Sequence, residues 1–472
     1  MAKVRKEYDA EGVKLTMRTR DYLADMSGQL ALGIMGNLVG QMTYFYTDKV
    51  GMAVGSVGVV MAIAKILDAF TDVIFGNVVD HSRGGNKKYF RWMIALAVPA
   101  AAIVALMFMV PKNAASGAQV AYALVTNVLL SAVIYTMIAT PFSAVMVVRT
   151  KSNSERASMG VFRAVGNYGA GMIIAIATIP VTNMLGGTQD AWIKYGVVLA
   201  LFVLLLFLIC WLNGHKAAFT REAEGESGVP AQAEEEPVPF GPAMGMLFKN
   251  KYWVIVLLFN LITAVTNAIS ASSAAYYTKW IFGNDNLVAL LGGLGLAATV
   301  VGFILSKPII AKLGVTKTVS FGCLGAALFA GIRCLAPANL VMYAVTSLFG
   351  SFVQIPLMCL YGVLLAMAVD YNEWKYDKKL VAMSGGAIGF GNKVGSGIGS
   401  LVLSAFLAIG AYDATLAVAS QSMRWSIYGF SNYLPLVINL LMYFIFRGFD
   451  LEQKLPQMRA EVEARKAGKS AE

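Results

Sequence analysis

Charge, histidine and cysteine are all scarce in this chain of 472 residues, and each scarcity closes off a class of function. Charged residues make up 14% of the sequence, against about 25% in soluble globular proteins. There are two histidines, His81 and His215, both in polar stretches and neither at metal-ligand spacing. A polytopic membrane enzyme would need a nucleophile–base pair or a metal cluster, and so finds little here to work with. The four cysteines, Cys210, Cys323, Cys334 and Cys359, sit in or beside apolar runs with no C-x-x-C spacing. They read as small core hydrophobes, not as a disulfide or redox framework. What is abundant is apolar surface: 57% of residues are hydrophobic and the mean hydropathy is +0.64. That composition excludes a secreted protein, a soluble enzyme and a nucleic-acid binder.

A membrane-spanning helix takes roughly 20 apolar residues, so twelve use about 240–260 of the chain. Apolar runs place them near 22–47, 52–79, 92–111, 119–146, 160–185, 193–213, 252–278, 287–311, 318–336, 339–368, 382–410 and 425–447. The expectation is an all-α membrane protein with twelve transmembrane helices. The first span is too long and polar for the apolar core of a signal peptide, so residues 1–21 are expected to remain as an N-terminal segment. The net charge of +11 would suggest nucleic acid in a soluble protein. Here, with both termini inside, the cytoplasmic segments and adjoining helix ends hold 29 Lys and Arg, and the outer segments hold six. The positive-inside rule predicts such a split, so the basic excess is topological. The cytoplasmic run Gly76-x-x-x-Asp80-x-x-Arg83-Gly-x-x-Lys87-Lys88 reads either as charge pairing that steadies one conformation or as plain anchoring.

One composition shift interrupts the spans. Glu222 to Pro239 is acidic, proline-bearing and without periodicity, which reads as a flexible linker. The predicted organisation is a cytoplasmic N-terminal segment (1–21), a six-helix half (22–213), a cytoplasmic linker (214–251), a second six-helix half (252–447) and a cytoplasmic tail (448–472). The halves echo one another. Tyr44-Phe-Tyr-Thr47 at the end of the first span answers Tyr276-Tyr-Thr278 at the end of the seventh. Arg163-Ala-Val-Gly166 in the fifth answers Lys393-Val-Gly395 in the eleventh. Two parallel six-helix halves are the architecture of the major facilitator superfamily, whose substrate sits at the bilayer midplane. In the eleventh span Gly391, Gly395 and Gly399 recur on one face, the spacing that lets helices approach closely. Lys393 lies about 200° around that helix from the stripe.

Five ionisable residues fall within predicted spans: Lys65, Asp68, Asp72, Arg163 and Lys393. Left unpaired, they would cost roughly 12–17 kcal/mol, more than most folds have to spare. Asp68 and Asp72 share a helical face, with Lys65 one turn earlier. Two such carboxylates either take a cation or proton, or belong to an ion-pair network with the basic residues. Polar stripes occur on the first span (Asn37, Gln41, Tyr44, Asp48), the fourth (Asn127, Ser131, Tyr135) and the seventh (Asn260, Thr263, Asn267, Ser270). In lipid they must face protein or water, as interhelical contacts or as cavity lining.

The run Lys65-Ile-Leu-Asp68-Ala-Phe-Thr-Asp72-Val-Ile-Phe-Gly76 resembles the second-helix signature of the glycoside–pentoside–hexuronide:cation symporter family. Tyr46-Thr-Asp-x-x-Gly51, Ile269-Ser-Ala-Ser-Ser273 and Val369-Asp370-Tyr371-x-Glu373-Trp374 match it as well, and the likeness runs the length of the chain. The resemblance implies a secondary symporter of the major facilitator fold, not an enzyme, in the cytoplasmic membrane of a bacterium and working as a monomer. It needs no cofactor beyond a coupling cation, Na⁺ or H⁺. The implied cation site is Asp68 and Asp72, assisted by Thr136. Thr71 stands where sodium-coupled members can carry asparagine, which leaves the ion open. Arg163 and Lys393 resemble the family's basic pair near the sugar, with Lys65, Asn37, Gln41, Tyr44, Tyr135 and Asn267 as further candidates for substrate binding or coupling. The acids of galactoside-carrying members fall here on Leu32 and Ala139, and the sugar-side aromatic on Ser143. Asp25 could replace the first acid. Three deep cations against two deep acids favour a hexuronide such as a glucuronide. A neutral glycoside, a pentoside or a lysolipid is the alternative.

Overall fold

The computed structural model describes residues 15–81, 87–150, 153–223, 240–378 and 380–469, and among them every regular element is a helix. The chain divides into two compact units, Met1–Glu234 and Glu235–Glu472. The first unit contains α1 (Thr19–Tyr44), α2 (Val54–His81), α3 (Lys87–Leu106), α4 (Ser116–Val128), α5 (Thr136–Arg149), α6 (Asn153–Met184) and α7 (Gln189–Ala223). The second contains α8 (Phe240–Phe248), α9 (Lys251–Trp280), α10 (Leu287–Leu313), α11 (Val315–Leu335), α12 (Leu340–Tyr376), α13 (Val381–Ile409), α14 (Gln421–Tyr428), α15 (Leu434–Phe446) and α16 (Leu451–Lys469). Eleven spans are long and apolar enough to cross a membrane among the described residues. The remaining expected span is α1, which has the length, at 26 residues, but carries Asp21, Asp25, Asn37 and Gln41.

Three spans expected to be continuous α-helix contain π turns, at Phe45–Val50, Leu129–Tyr135 and Gly429–Tyr433. A π turn adds one residue to the ladder and so turns every later side chain around the axis. The first is closed by Gly51, whose φ of +79° is left-handed backbone that glycine adopts without strain. The second joins α4 to α5 and sets the direction of Thr136.

In the first unit α1 packs along α6, where Gly166 meets the carbonyl of Met26 and Gly33 meets Ala170. In the second unit α9 packs along α13 through the predicted glycine stripe. A methyl group on Gly395 would stand 2.5 Å from the Leu261 carbonyl oxygen, and one on Gly399 2.5 Å from that of Val265. The backbones therefore touch, which no larger residue permits.

The two segments expected as linker and tail are partly helical. α8 buries Ala243 and Leu247 against the second unit, and Asn250 then caps α9, accepting the N–H groups of Tyr252 and Trp253. Residues 224–239 of the acidic stretch lie outside the described residues. α16 lays Leu451, Leu455 and Val462 inward at helical spacing. The Glu452 carboxylate accepts the N–H groups of Val315 and Thr316 at 2.7 and 2.8 Å, an anion on the positive end of α11. Asp370 accepts from Arg459, the Trp374 indole donates to Glu461 at 2.7 Å, and Arg465 donates to the Trp374 carbonyl. The Val369–Trp374 run is thus the seat of the C-terminal helix.

Gly395→Ala is expected to lower stability by about 1–3 kcal/mol through overpacking. Gly389→Ala, where a methyl meets open space, is expected to be neutral or to stabilise by up to about 1 kcal/mol. Thermal unfolding of the detergent-purified variants checks both, and equal midpoints would refute the close contact.

Candidate functional site

Asp68 is the 15th residue of α2, near the middle of a helix of 28 residues, and is 3% exposed. Its Oδ1 accepts a hydrogen bond from the buried Thr136 hydroxyl at 3.2 Å. Its Oδ2 lies 3.8 Å from Lys65 Nζ, at the outer limit of an ion pair. Thr71 turns its hydroxyl onto the Asp68 backbone carbonyl at 3.1 Å. The structure thus brings Asp68, Thr136, Lys65 and Thr71 together at mid-span. The Asp72 side chain lies outside the described residues, as do those of Gly76–Asp80 and the loop residues 82–86. Chemically, the cluster offers a buried carboxylate that accepts from a hydroxyl of α5, with an ammonium 3.8 Å away on α2.

Arg163, expected with Lys393 as a basic pair near the sugar, is paired with an acid of its own unit. Its guanidinium holds Asp25 by two bonds, Nε to Oδ2 at 2.6 Å and Nη2 to Oδ1 at 2.9 Å. It also lies 3.9 Å from the centroid of the Phe142 ring. Asp25 is fully buried and Arg163 nearly so. Arginine suits this place because its planar fork matches both carboxylate oxygens while one face stacks on an aromatic ring. From the 1.5 Å helical rise, Asp25 is about 9 Å along α1 and Arg163 about 15 Å along α6. The pair therefore lies about a quarter of the way along α1 and a third of the way along α6. Asp25, expected as a stand-in for a sugar-binding acid, is occupied by arginine. Lys393 is half-buried on α13, in the other unit.

The polar stripe of α1 splits. Tyr44 is fully buried with its ring 6.3 Å from that of Trp192, so it belongs to an aromatic core with Phe45 and Phe108. Asn37 is exposed and donates to the Gly33 carbonyl of its own helix. Gln41 is buried. Tyr135, at the end of the second π turn, brings its ring to within 3.7 Å of where a methyl on Gly36 would stand. Asn127 donates to the Tyr46 hydroxyl at 2.7 Å, tying α4 to the end of the first span. In the second unit Asn267 lines a cavity with Gln354 and Asn439.

Sequence reasoning missed Phe142, Gln354 and Asn439. It also missed a polar cluster in the first unit. There Glu155 accepts from the Met17 N–H and the Thr150 hydroxyl, while Asn213 bridges Arg149 and Asp21. Only Glu155 gave a signal, as a buried acid in the first turn of α6.

Two six-helix units with charged and amide side chains turned inward describe a membrane carrier, since such groups in spans mark ion and substrate paths. The sequence model of the MFS/sugar transport protein family matches residues 25–453, and the chain belongs to that family. It is a transporter and not an enzyme. The chain is 26% identical over 463 residues to the isoprimeverose transporter of Lactiplantibacillus pentosus, covering 95% of this chain and 91% of that one. It is 24% identical over 414 residues to a putative glycoside/cation symporter of Escherichia coli K12, covering 87% of each. Among solved structures, a bacterial homologue of the lysosomal transporter Spinster aligns with a TM-score of 0.65 at 14% identity, covering 93% of this chain and 99% of that one. That likeness shows the fold.

Asp25→Asn is expected to destabilise by about 3–5 kcal/mol, because it strands a buried guanidinium. Asp25→Leu combined with Arg163→Met removes both charges and is expected to recover most of the loss. The test is the unfolding midpoint of the two variants against the parent; a double variant no better than Asp25→Asn would show that the charge pairing is not what matters.

Proposed function

We propose that this chain imports a glycoside by cation-coupled symport through alternating access, as a monomer in the cytoplasmic membrane of a bacterium with both termini inside. The observation that carries the reading is the buried Asp68 carboxylate at mid-span, with the Thr136 hydroxyl donating to one oxygen and Lys65 Nζ 3.8 Å from the other. Asp25, by contrast, is held through both oxygens by an arginine. With Asp72 on the same helical face, an entering Na⁺ or H⁺ relieves carboxylate repulsion and releases Lys65. The membrane potential adds roughly 2.3 kcal/mol per charge per 100 mV to that step.

The charge count that favoured an anionic sugar left Asp25 out. With it included, three acids balance three cations, and the balance no longer asks for a negative substrate. An uncharged glycoside is the substrate read here, in line with relatives named for isoprimeverose and for glycoside/cation symport.

Uptake of a labelled glycoside into proteoliposomes, with Na⁺ and pH gradients imposed separately, tests the reading. One gradient is expected to drive accumulation, unlabelled glucuronate is expected not to compete, and Asp68→Asn is expected to abolish accumulation. Normal accumulation by Asp68→Asn would sink the cation site, and strong competition by glucuronate would return the substrate to the hexuronides.

A further inference from the structure

The second unit holds a cavity of its own, among α9, α11, α12 and α15. Three amide side chains line it: Asn267, Gln354 and Asn439. Among the described residues Asn267 and Gln354 make no hydrogen bond, and Asn439 spends one N–H on the Pro435 carbonyl of its own helix. Each amide offers two donors and an acceptor, so most of this capacity is open. Amides placed in a membrane span without partners are costly, and three of them around one cavity call for a polar occupant. The lining also includes the Phe259 and Tyr361 rings, 5.1 Å apart and inclined at 49°. Among the described residues no charged side chain lines the cavity.

Size narrows the occupant. The cavity volume is about 40 Å³, room for about three water-sized groups. A whole sugar ring does not fit inside, but its edge does. We propose that this cavity is a subsite for the hydroxyl-bearing edge of an uncharged pyranose, with Gln354, Asn439 and Asn267 holding the hydroxyls and Phe259 and Tyr361 against the carbon face. An amide fits two adjacent hydroxyls by donating to one and accepting from the other, and it has no charge with which to hold a carboxylate. The inference deepens the glycoside reading and rests on it, but its test does not depend on transport.

The probes are methyl α-D-xyloside, methyl α-D-glucoside and isoprimeverose, added to the full-length protein in nanodiscs while its thermal unfolding is followed. A ligand that binds only the folded state raises the midpoint with concentration. At least one of these sugars is expected to raise it. Gln354→Leu and Asn439→Leu are each expected to raise the half-saturating concentration about tenfold, the loss of one to two hydrogen bonds. Asn267→Ala, at an exposed position where the sugar-free midpoint should not move, is expected to act in the same direction. Failure of all three sugars to shift the parent overturns the subsite, as does equal binding by parent and variants. Sugar binding that the variants weaken, alongside no uptake under either gradient, upholds the subsite and removes cation-coupled symport.

Discussion

An ionised group inside a membrane span has few ways to exist, and the first unit shows two of them side by side. Asp25 is committed: both of its oxygens are held by Arg163, the guanidinium is stacked on Phe142, and neither residue has much exposure. Such a pair contributes little net stability, because desolvating both ions offsets their attraction. What it does is fix α1 against α6 in one register, since any slip would expose a lone charge to a low dielectric. Asp68 stands at mid-span, with the Thr136 hydroxyl donating to one oxygen and Lys65 Nζ 3.8 Å from the other. In the symport proposed above, the first acid serves order and the second the travelling cation.

The two halves solve the same packing problem with related means. In each, a glycine from the fifth or eleventh span meets a backbone carbonyl of the first or seventh, Gly166 with Met26 and Gly395 with Leu261. In each, the end of the first helix carries Tyr-Thr, whose threonine returns its hydroxyl to carbonyls three and four residues back, Thr47 to Thr43 and Tyr44, Thr278 to Ala274 and Ala275. In each, the tyrosine hydroxyl accepts from a buried asparagine, Tyr46 from Asn127 and Tyr277 from Asn432. The asparagines come from different places, α4 in one half and the π turn before α15 in the other. The repeat therefore preserves the contact through partners that do not correspond.

Much of this was legible in the residues because it depends on local spacing. Span positions follow from hydropathy, the close packing of α13 from glycines four apart, and Asp68 from being an ionisable residue at mid-span. The rest required contacts that spacing cannot carry. Asp25 and Arg163 are 138 residues apart in the chain, and the counting that placed Asp25 near a sugar had no means of seeing its partner. The π turn at Leu129–Tyr135 leaves no mark on composition, yet it decides that Thr136 and not a neighbour faces Asp68. Tyr44 shares a stripe with Asn37 and Gln41, but an aromatic ring is as content in a core as in a cavity, and Trp192 claims it. The tail was expected only as a cytoplasmic segment, and the contacts of Arg459, Glu461 and Arg465 could not be read from spacing. Their partners, at Asp370 and Trp374, lie some 90 residues earlier.

The charge balance then bears on how coupling can work. In the symport proposed above, with Lys65, Arg163 and Lys393 set against Asp25, Asp68 and Asp72, these groups sum to zero, so the empty carrier would reorient without moving their net charge across the field. Binding a cation adds one positive charge to the loaded form, and an uncharged glycoside leaves that charge in place. The membrane potential therefore acts on the loaded step and not on the return. A hexuronide would cancel the added charge and forfeit the potential as a driving force. Under the same proposal, a cavity lined by the amides of Asn267, Gln354 and Asn439 would order sugar hydroxyls without adding charge to that balance.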